Sequence, residues 1–251
     1  MKKIFLLLII ALGVGTGYAQ SPILTKAKIE YEKKVNTWAT VPSDMLDRIK
    51  QNTPQYSSTF YSYETDGQKS IYKQIPSTNN NNMGRGFFRM EQGSEDDVVY
   101  TDFTTDQQIS LKSVFEKTYL LTDTIGHINW KITNDFREIA GFNCRRATAL
   151  IMDSVFVVAF YTNEIVAQGG PEGFTGLPGT ILGLVINRLH TTWYATKVSV
   201  VDVDPSRIKA PTDSKAEKSN KKKLIESLKD RFQSNRNSWI NDDRMIWGIM
   251  I

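Results

Sequence analysis

Between Phe87 and Tyr161 the chain breaks into strand-length segments: Phe87–Met90, Val98–Phe103, Ile109–Phe115, Thr118–Leu121, Trp130–Arg137, Phe142–Met152 and Ser154–Tyr161. Thr104-Thr105-Asp106, Asp123-Thr124, Ala140-Gly141 and Asp153-Ser154 punctuate them. No helical crossover interrupts the run, so consecutive strands pair antiparallel, as a meander. The expected fold class is mainly β, built on one large, sequentially connected antiparallel sheet.

The flanks extend this reading. Alternation from Ile23 to Val35 puts Ile29, Tyr31, Lys33 and Val35 on one side of a half-buried strand that begins near Leu24. Met45, Leu46 and Ile49 then recur at helical spacing between Pro42-Ser43-Asp44 and Asn52-Thr53-Pro54, which predicts a short N-terminal helix. Tyr56–Glu64 and Lys69–Ile75 flank Asp66-Gly67, a hairpin turn, and residues 77–86 have loop composition. Ile181–Asn187 and Thr191–Asp202 add two strands, and Leu224, Leu228 and Phe232 mark one stripe of a C-terminal helix. With no internal repeat and no composition shift, residues 20–251 are expected to form a single β-rich domain.

Met1-Lys2-Lys3, the apolar run from Ile4 to Val14, and Gly17-Tyr18-Ala19 have the form of a signal peptide over residues 1–19, cleaved after Ala19. The expected location is the periplasm. No later segment approaches transmembrane length. Lys+Arg total 31 against 27 Asp+Glu, and removal of Lys2 and Lys3 leaves 29 against 27. The basic residues are dispersed except at Lys221-Lys222-Lys223, which reads as a solvated helix face, so nucleic acid is not an expected partner. Cys144 is the only cysteine, which rules out an internal disulfide and predicts a small buried hydrophobe.

Residues 169–184, GGPEGFTGLPGTILGL, carry six glycines and two prolines against an apolar run with no charge after Glu172. Alternating glycine and proline specifies backbone shape, not acid-base chemistry. The segment is expected to be a rigid loop between the strands ending near Tyr161 and beginning near Ile181, with Gly176 and Gly179 at positive φ.

Val99-Tyr100-Thr101-Asp102-Phe103, Trp130-Lys131, Gly141-Phe142-Asn143-Cys144-Arg145-Arg146-Ala147-Thr148 and Phe160-Tyr161-Thr162-Asn163-Glu164-Ile165 precede Gly170-Pro171 and Gly176-Leu177-Pro178-Gly179-Thr180-Ile181-Leu182. In that order these motifs resemble the GLPGLI family of secreted Bacteroidetes proteins, over roughly residues 98–187. Thr180 stands where the family has a second leucine, Val166 where a proline is usual, and Phe160 where tryptophan is common. The family brings no catalytic constellation to transfer. The strand order around Trp130, Gly141 and Tyr161 also resembles the lipoprotein-carrier (LolA-like) open barrels. That resemblance implies a curved sheet, an open or half barrel, cradling apolar cargo; it warrants function only by association.

His127 and His190 have no metal-ligand spacing, and no nucleophile and base signature is present, so no catalytic residue, no metal site and no cofactor are assigned. Aspartates 96, 97, 102 and 106 read as turn residues beside strands. The aromatics differ, because Trp130, Phe142, Phe156, Phe160, Tyr161, Phe174, Trp193 and Tyr194 lie on or beside the central strands. A concave face only partly filled by one helix and one loop would leave a cleft. Its expected binding residues are Phe174, Leu177, Pro178, Ile181, Trp130 and Tyr161, with Leu177 foremost.

The leading functional expectation is a noncatalytic periplasmic carrier or binding protein for an apolar or amphipathic ligand, such as a lipid or peptide. An alternative is an accessory subunit of an outer-membrane complex of the TonB-dependent transporter type, suggested by the apolar tail from Trp239 to Ile251, which either completes the core or binds a partner. A second alternative is a periplasmic copper protein using Cys144, a histidine or a methionine.

Overall fold

The structure, a computed structural model, describes residues 24–41, 43–76, 94–200, 202–234 and 243–251. The signal-peptide segment, the strand expected at Phe87–Met90 and the whole of the loop at 77–86 lie outside the described residues.

Among the described residues, twelve strands form one sheet that does not close. They are β1 (Ala27–Asn36), β2 (Tyr56–Thr65), β3 (Lys69–Gln74), β4 (Val98–Asp102), β5 (Gln107–Val114), β6 (Lys117–Thr124), β7 (Lys131–Ile139), β8 (Phe142–Ile151), β9 (Val155–Thr162), β10 (Thr180–Ile186), β11 (Thr191–Ser199) and β12 (Glu217–Ser219). Their order is β12-β6-β5-β4-β3-β2-β1-β11-β10-β9-β8-β7, antiparallel throughout except for β12 beside β6. Two meanders, β1 to β6 and β7 to β11, are therefore joined through the β1–β11 pair.

That order forces the sheet to curve. Flat, β6 and β7 would lie ten strand spacings apart, or about 48 Å. Only residues 125–130 connect them, a reach of at most about 25 Å. The sheet must curl until its two edges approach each other, which gives the open-barrel outline.

Short turns make the meanders. Ala140 and Gly141 sit at φ 52° and 83° between β7 and β8, and Met152 and Asp153 at 48° and 58° between β8 and β9, as the left-handed turns that match strand twist require. At the β2–β3 turn the Asp66 carboxylate accepts from the backbone N–H groups of Gln68 (2.9 Å) and Lys69 (2.7 Å). The expected alternation of β1 is observed, with Ile29, Tyr31, Lys33 and Val35 all buried. Strand ends agree with expectation to within three residues: β1 begins at Ala27 instead of near Leu24, β6 runs on to Thr124 instead of Leu121, and β11 stops at Ser199 instead of Asp202.

Among the described residues four α-helices accompany the sheet: α1 (Thr37–Thr40), α2 (Ser43–Lys50), α3 (Lys221–Ser234) and α4 (Asp243–Met250). Leu224 and Leu228 of α3 are buried against Val114 and Leu121 of β5 and β6, together with Ile246, Ile249 and Met250 from α4 and its end. Trp247 and Ile251 instead join the principal core, which contains Ile29 and Tyr31 of β1, Ala159 and Tyr161 of β9, Leu184 of β10 and Trp193 of β11. The described part of the apolar tail thus folds as a helix in which the side chains of Ile246, Trp247, Ile249, Met250 and Ile251 bridge two hydrophobic clusters. A third cluster, Ile71, Tyr100, Val203 and Ile208, packs the segment after β11 against β3 and β4.

Candidate functional site

The Gly/Pro loop is fixed into the sheet from several sides. Tyr31 Oη donates to the Ile181 carbonyl (2.6 Å), Tyr63 Oη to that of Gln168 (2.8 Å), Trp130 Nε1 to that of Thr175 (2.9 Å) and Gln108 Nε2 to that of Gly173 (3.1 Å). The Thr180 hydroxyl reaches the carbonyls of Ala167 (2.5 Å) and Ile165 (3.3 Å), a stitch that leucine at this position could not make. Gly176 and Gly179 both have positive φ, 93° and 142°. A Cβ on Gly179 would also overlap the Thr162 carbonyl oxygen, so this position excludes every other residue on two counts.

The expected binding residues are brought together, but largely as core. Leu177 is 1% exposed, and Phe174, Ile181 and Tyr161 are buried beside it in the principal cluster. Trp130 is half-buried against that cluster, and Pro178 is exposed. The apolar side chains of the loop pack in the same cluster as Trp247 and Ile251 at the end of α4.

A cavity of about 30 Å³, room for about one water-sized group, lies beneath the end of α4 and is lined by Lys33, Tyr61, Tyr72, Asp97, Lys112, Glu172, Ile249 and Ile251 among others. Glu172 is its hub. It sits in the loop at φ 54°, a left-handed conformation that costs a non-glycine residue about 1–2 kcal/mol. Its Oε1 accepts from Lys33 Nζ (3.3 Å) and Trp193 Nε1 (3.2 Å), and its Oε2 lies 3.7 Å from Lys112 Nζ. The Lys33 ammonium also stands 5.1 Å from the Trp193 ring centre and 5.8 Å from that of Tyr61. Lys112 Nζ donates to the main-chain oxygen of Ile251 (3.1 Å).

Two further groups complete the wall. Asp97 accepts from the Ser113 N–H (2.8 Å), and burial raises its carboxyl above the usual carboxylate range. Tyr72 stacks on Tyr61 with ring centres 4.9 Å apart, and burial holds its phenol well above the ordinary tyrosine range. Among the described residues its Oη has no hydrogen-bond partner. The nearby Trp193 N–H is committed to Glu172. On the far side of Gly173, Gln108 links the cluster to Lys221, whose Nζ donates to Gln108 Oε1 (2.9 Å) and whose pKa burial lowers to about 8.

Sequence reasoning placed Lys33 on the buried side of β1 but assigned it no role, and read Glu172 only as the last charge before an apolar run. One signal was available in each case: a charge at an inward strand position, and a charge inside a shape-specifying loop. Lys112 was hidden, because β5 buries Gln108, Ser110 and Lys112 while Ile109 and Leu111 are only half-buried, the reverse of the usual pattern.

Cys144 is fully buried, and burial pushes its thiol up to about 12. His127 and His190 are exposed, and among the described residues no group of three His, Cys, Asp or Glu side chains could hold a metal ion. Among the described residues no helix is long and apolar enough to cross a membrane.

No family model and no curated protein matches the chain. Two crystal forms of PNGF-II superpose on it, each with a TM-score of 0.48 and 14% identity, covering 88% and 77% of this chain. The chain spans about a third of PNGF-II, 32% and 31% in the two forms. An uncharacterised conserved protein from Thermus thermophilus is similar at a TM-score of 0.40 and 4% identity, covering 78% of this chain and 91% of its own.

Proposed function

We propose that the chain is an exported, noncatalytic binding protein that takes an amphipathic ligand on its concave face, at the place α4 now fills. The observation that carries this reading is the cluster of Lys33, Lys112, Glu172 and the unpartnered Tyr72 hydroxyl beneath an apolar helical cover. Buried ion pairs are weak stabilisers, and apolar residues of similar volume often serve a fold equally well. Charges kept in such a place fit a polar ligand group, while the surrounding Tyr61, Val99 and Trp193 fit an apolar body. Native mass spectrometry of gently purified protein, followed by titration with a fluorescent fatty acid and a fluorescent apolar peptide, tests it. A retained small molecule, or a probe bound with Kd below about 1 mM, supports the reading, and neither would end it.

A second reading, an accessory subunit of an envelope complex, draws on the outer face of the sheet. Leu150 (59% exposed) and Phe156 (45%) are directly paired across β8 and β9, with half-buried Val158 and Phe160 on the same face. Leu150→Asp should abolish co-purification with a partner and leave folding intact if this surface docks.

A further inference from the structure

We infer that the cavity walled by Lys33, Tyr72, Lys112 and Glu172 is a buried site for one small monovalent anion of chloride's size, taken with α4 in place. Such a site lies outside the binding reading above and needs no part of the chain to move. Its wall is rich in buried donors. Tyr72 is 3% exposed, and among the described residues its hydroxyl has no partner. Lys33 and Lys112, 7% and 9% exposed, add two ammonium groups with three N–H donors each. Among the described residues these two share the Glu172 carboxylate, and Lys112 also reaches the Ile251 main-chain oxygen.

Charge decides between an anion and a water molecule, which volume alone does not. Gln108, Ser110 and Lys112 form the inward row of β5, and Lys221 Nζ joins that row through Gln108 Oε1 (2.9 Å). This side of the interior thus carries three ammonium groups against two carboxylates, Glu172 and Asp123, the latter bonded to the Lys221 main-chain N–H. The cavity's other carboxyl, Asp97, already accepts the Ser113 N–H, and burial drives it toward its neutral form, which lessens its opposition to an anion. One positive charge is left in excess, and buried charge is stable only when paired. A space of about 30 Å³ suits a single monatomic ion and is too small for the four oxygens of sulfate or phosphate.

The test is urea unfolding of the full chain at neutral pH in mixtures of sodium chloride and sodium gluconate whose total is held at about 0.2 M. Gluconate is too large for the cavity. A site with Kd about 10 mM multiplies the folding equilibrium constant about twenty-fold as chloride replaces gluconate, with saturation, and bromide acts alike. Tyr72→Phe and Lys112→Met each cut that gain to under about three-fold. A folding constant that does not change across the series, or a gain that both variants keep, overturns the site. Should either variant fail to fold, anomalous diffraction from crystals of the unaltered protein grown in sodium bromide decides. A bromide within about 3.5 Å of Lys33 or Lys112 Nζ supports the inference, and a cavity without one overturns it. No halide effect together with retained binding of the fluorescent probes defeats the anion site alone and leaves the broader binding reading standing.

Discussion

Tyr31 and Lys33 face the same interior from positions two residues apart on β1, yet their polar ends meet different kinds of surroundings. Tyr31 donates to the Ile181 carbonyl, one of four side-chain donors that each close a single backbone carbonyl of the Gly/Pro region. Lys33 enters a cluster in which one carboxylate serves two ammonium groups and an indole, and a neighbouring phenol serves nothing among the described residues. The first half is architecture, because each donor offsets one desolvated acceptor and the remaining surface is apolar. The second half carries buried charge, and it lines the cavity at the end of α4.

The comparison breaks most readily on the loop side. Gly179→Ala should cost at least about 4 kcal/mol in urea unfolding, since it combines a forbidden φ with overlap on the Thr162 carbonyl. A cost under about 1 kcal/mol would mean the loop can shift, and that it is not the rigid half. Leu177→Ala, which empties a fully buried site, should cost about 3 kcal/mol. If Leu177→Ala left stability unchanged and weakened probe binding, the loop and not the charged cluster would be the site.

Smaller effects sharpen the same contrast. Cys144 should react with a thiol reagent at pH 8 at least about a thousand-fold more slowly in the native protein than in denaturant, because the thiolate is both enclosed and disfavoured. Lys221 tests the polar side through pH. Its folded pKa, about 8, lies below the ordinary lysine value of 10.5, so between these values the unfolded chain binds the extra proton and the Lys221 contribution to stability rises with pH. Lys221→Met should therefore stabilise the protein more at pH 7 than at pH 9.5. The buried tyrosines act in the opposite sense above pH 10, where the native state retains protons the unfolded chain has lost. An equal effect of Lys221→Met at both values would show that the ammonium is freely solvated.

Strand existence and antiparallel pairing were legible because turn chemistry is local: Asp66-Gly67, Ala140-Gly141 and Asp153-Ser154 marked the turns, the last one residue beyond the left-handed pair Met152 and Asp153. Curvature was legible only through resemblance, although the short β6–β7 connection explains it once strand order is known. The site was largely illegible. It combines β1, β3, β5, the Gly/Pro loop and the end of α4, segments whose meeting depends on how far the sheet curls. In β5 the inward row is polar, so periodicity alone points Ile109 and Leu111 toward the core. The apolar tail was read as either core or partner surface; the buried side chains from Ile246 to Ile251 make that part core, and Ile249 and Ile251 also line the cavity.

The central claim is that Lys33, Lys112 and Glu172 are kept for a ligand and not for the fold. Stability and peptide binding measured together on the triple variant Lys33→Met, Lys112→Met, Glu172→Gln test it most directly, with Glu172→Gln alone as the reference. Removing only the shared carboxylate should cost about 3 kcal/mol, since it leaves two buried ammonium groups facing each other. The account predicts that the triple variant regains most of that loss and binds neither the fluorescent apolar peptide nor the fluorescent fatty acid. A triple variant less stable than Glu172→Gln, or one that binds as the unaltered protein does, would contradict it.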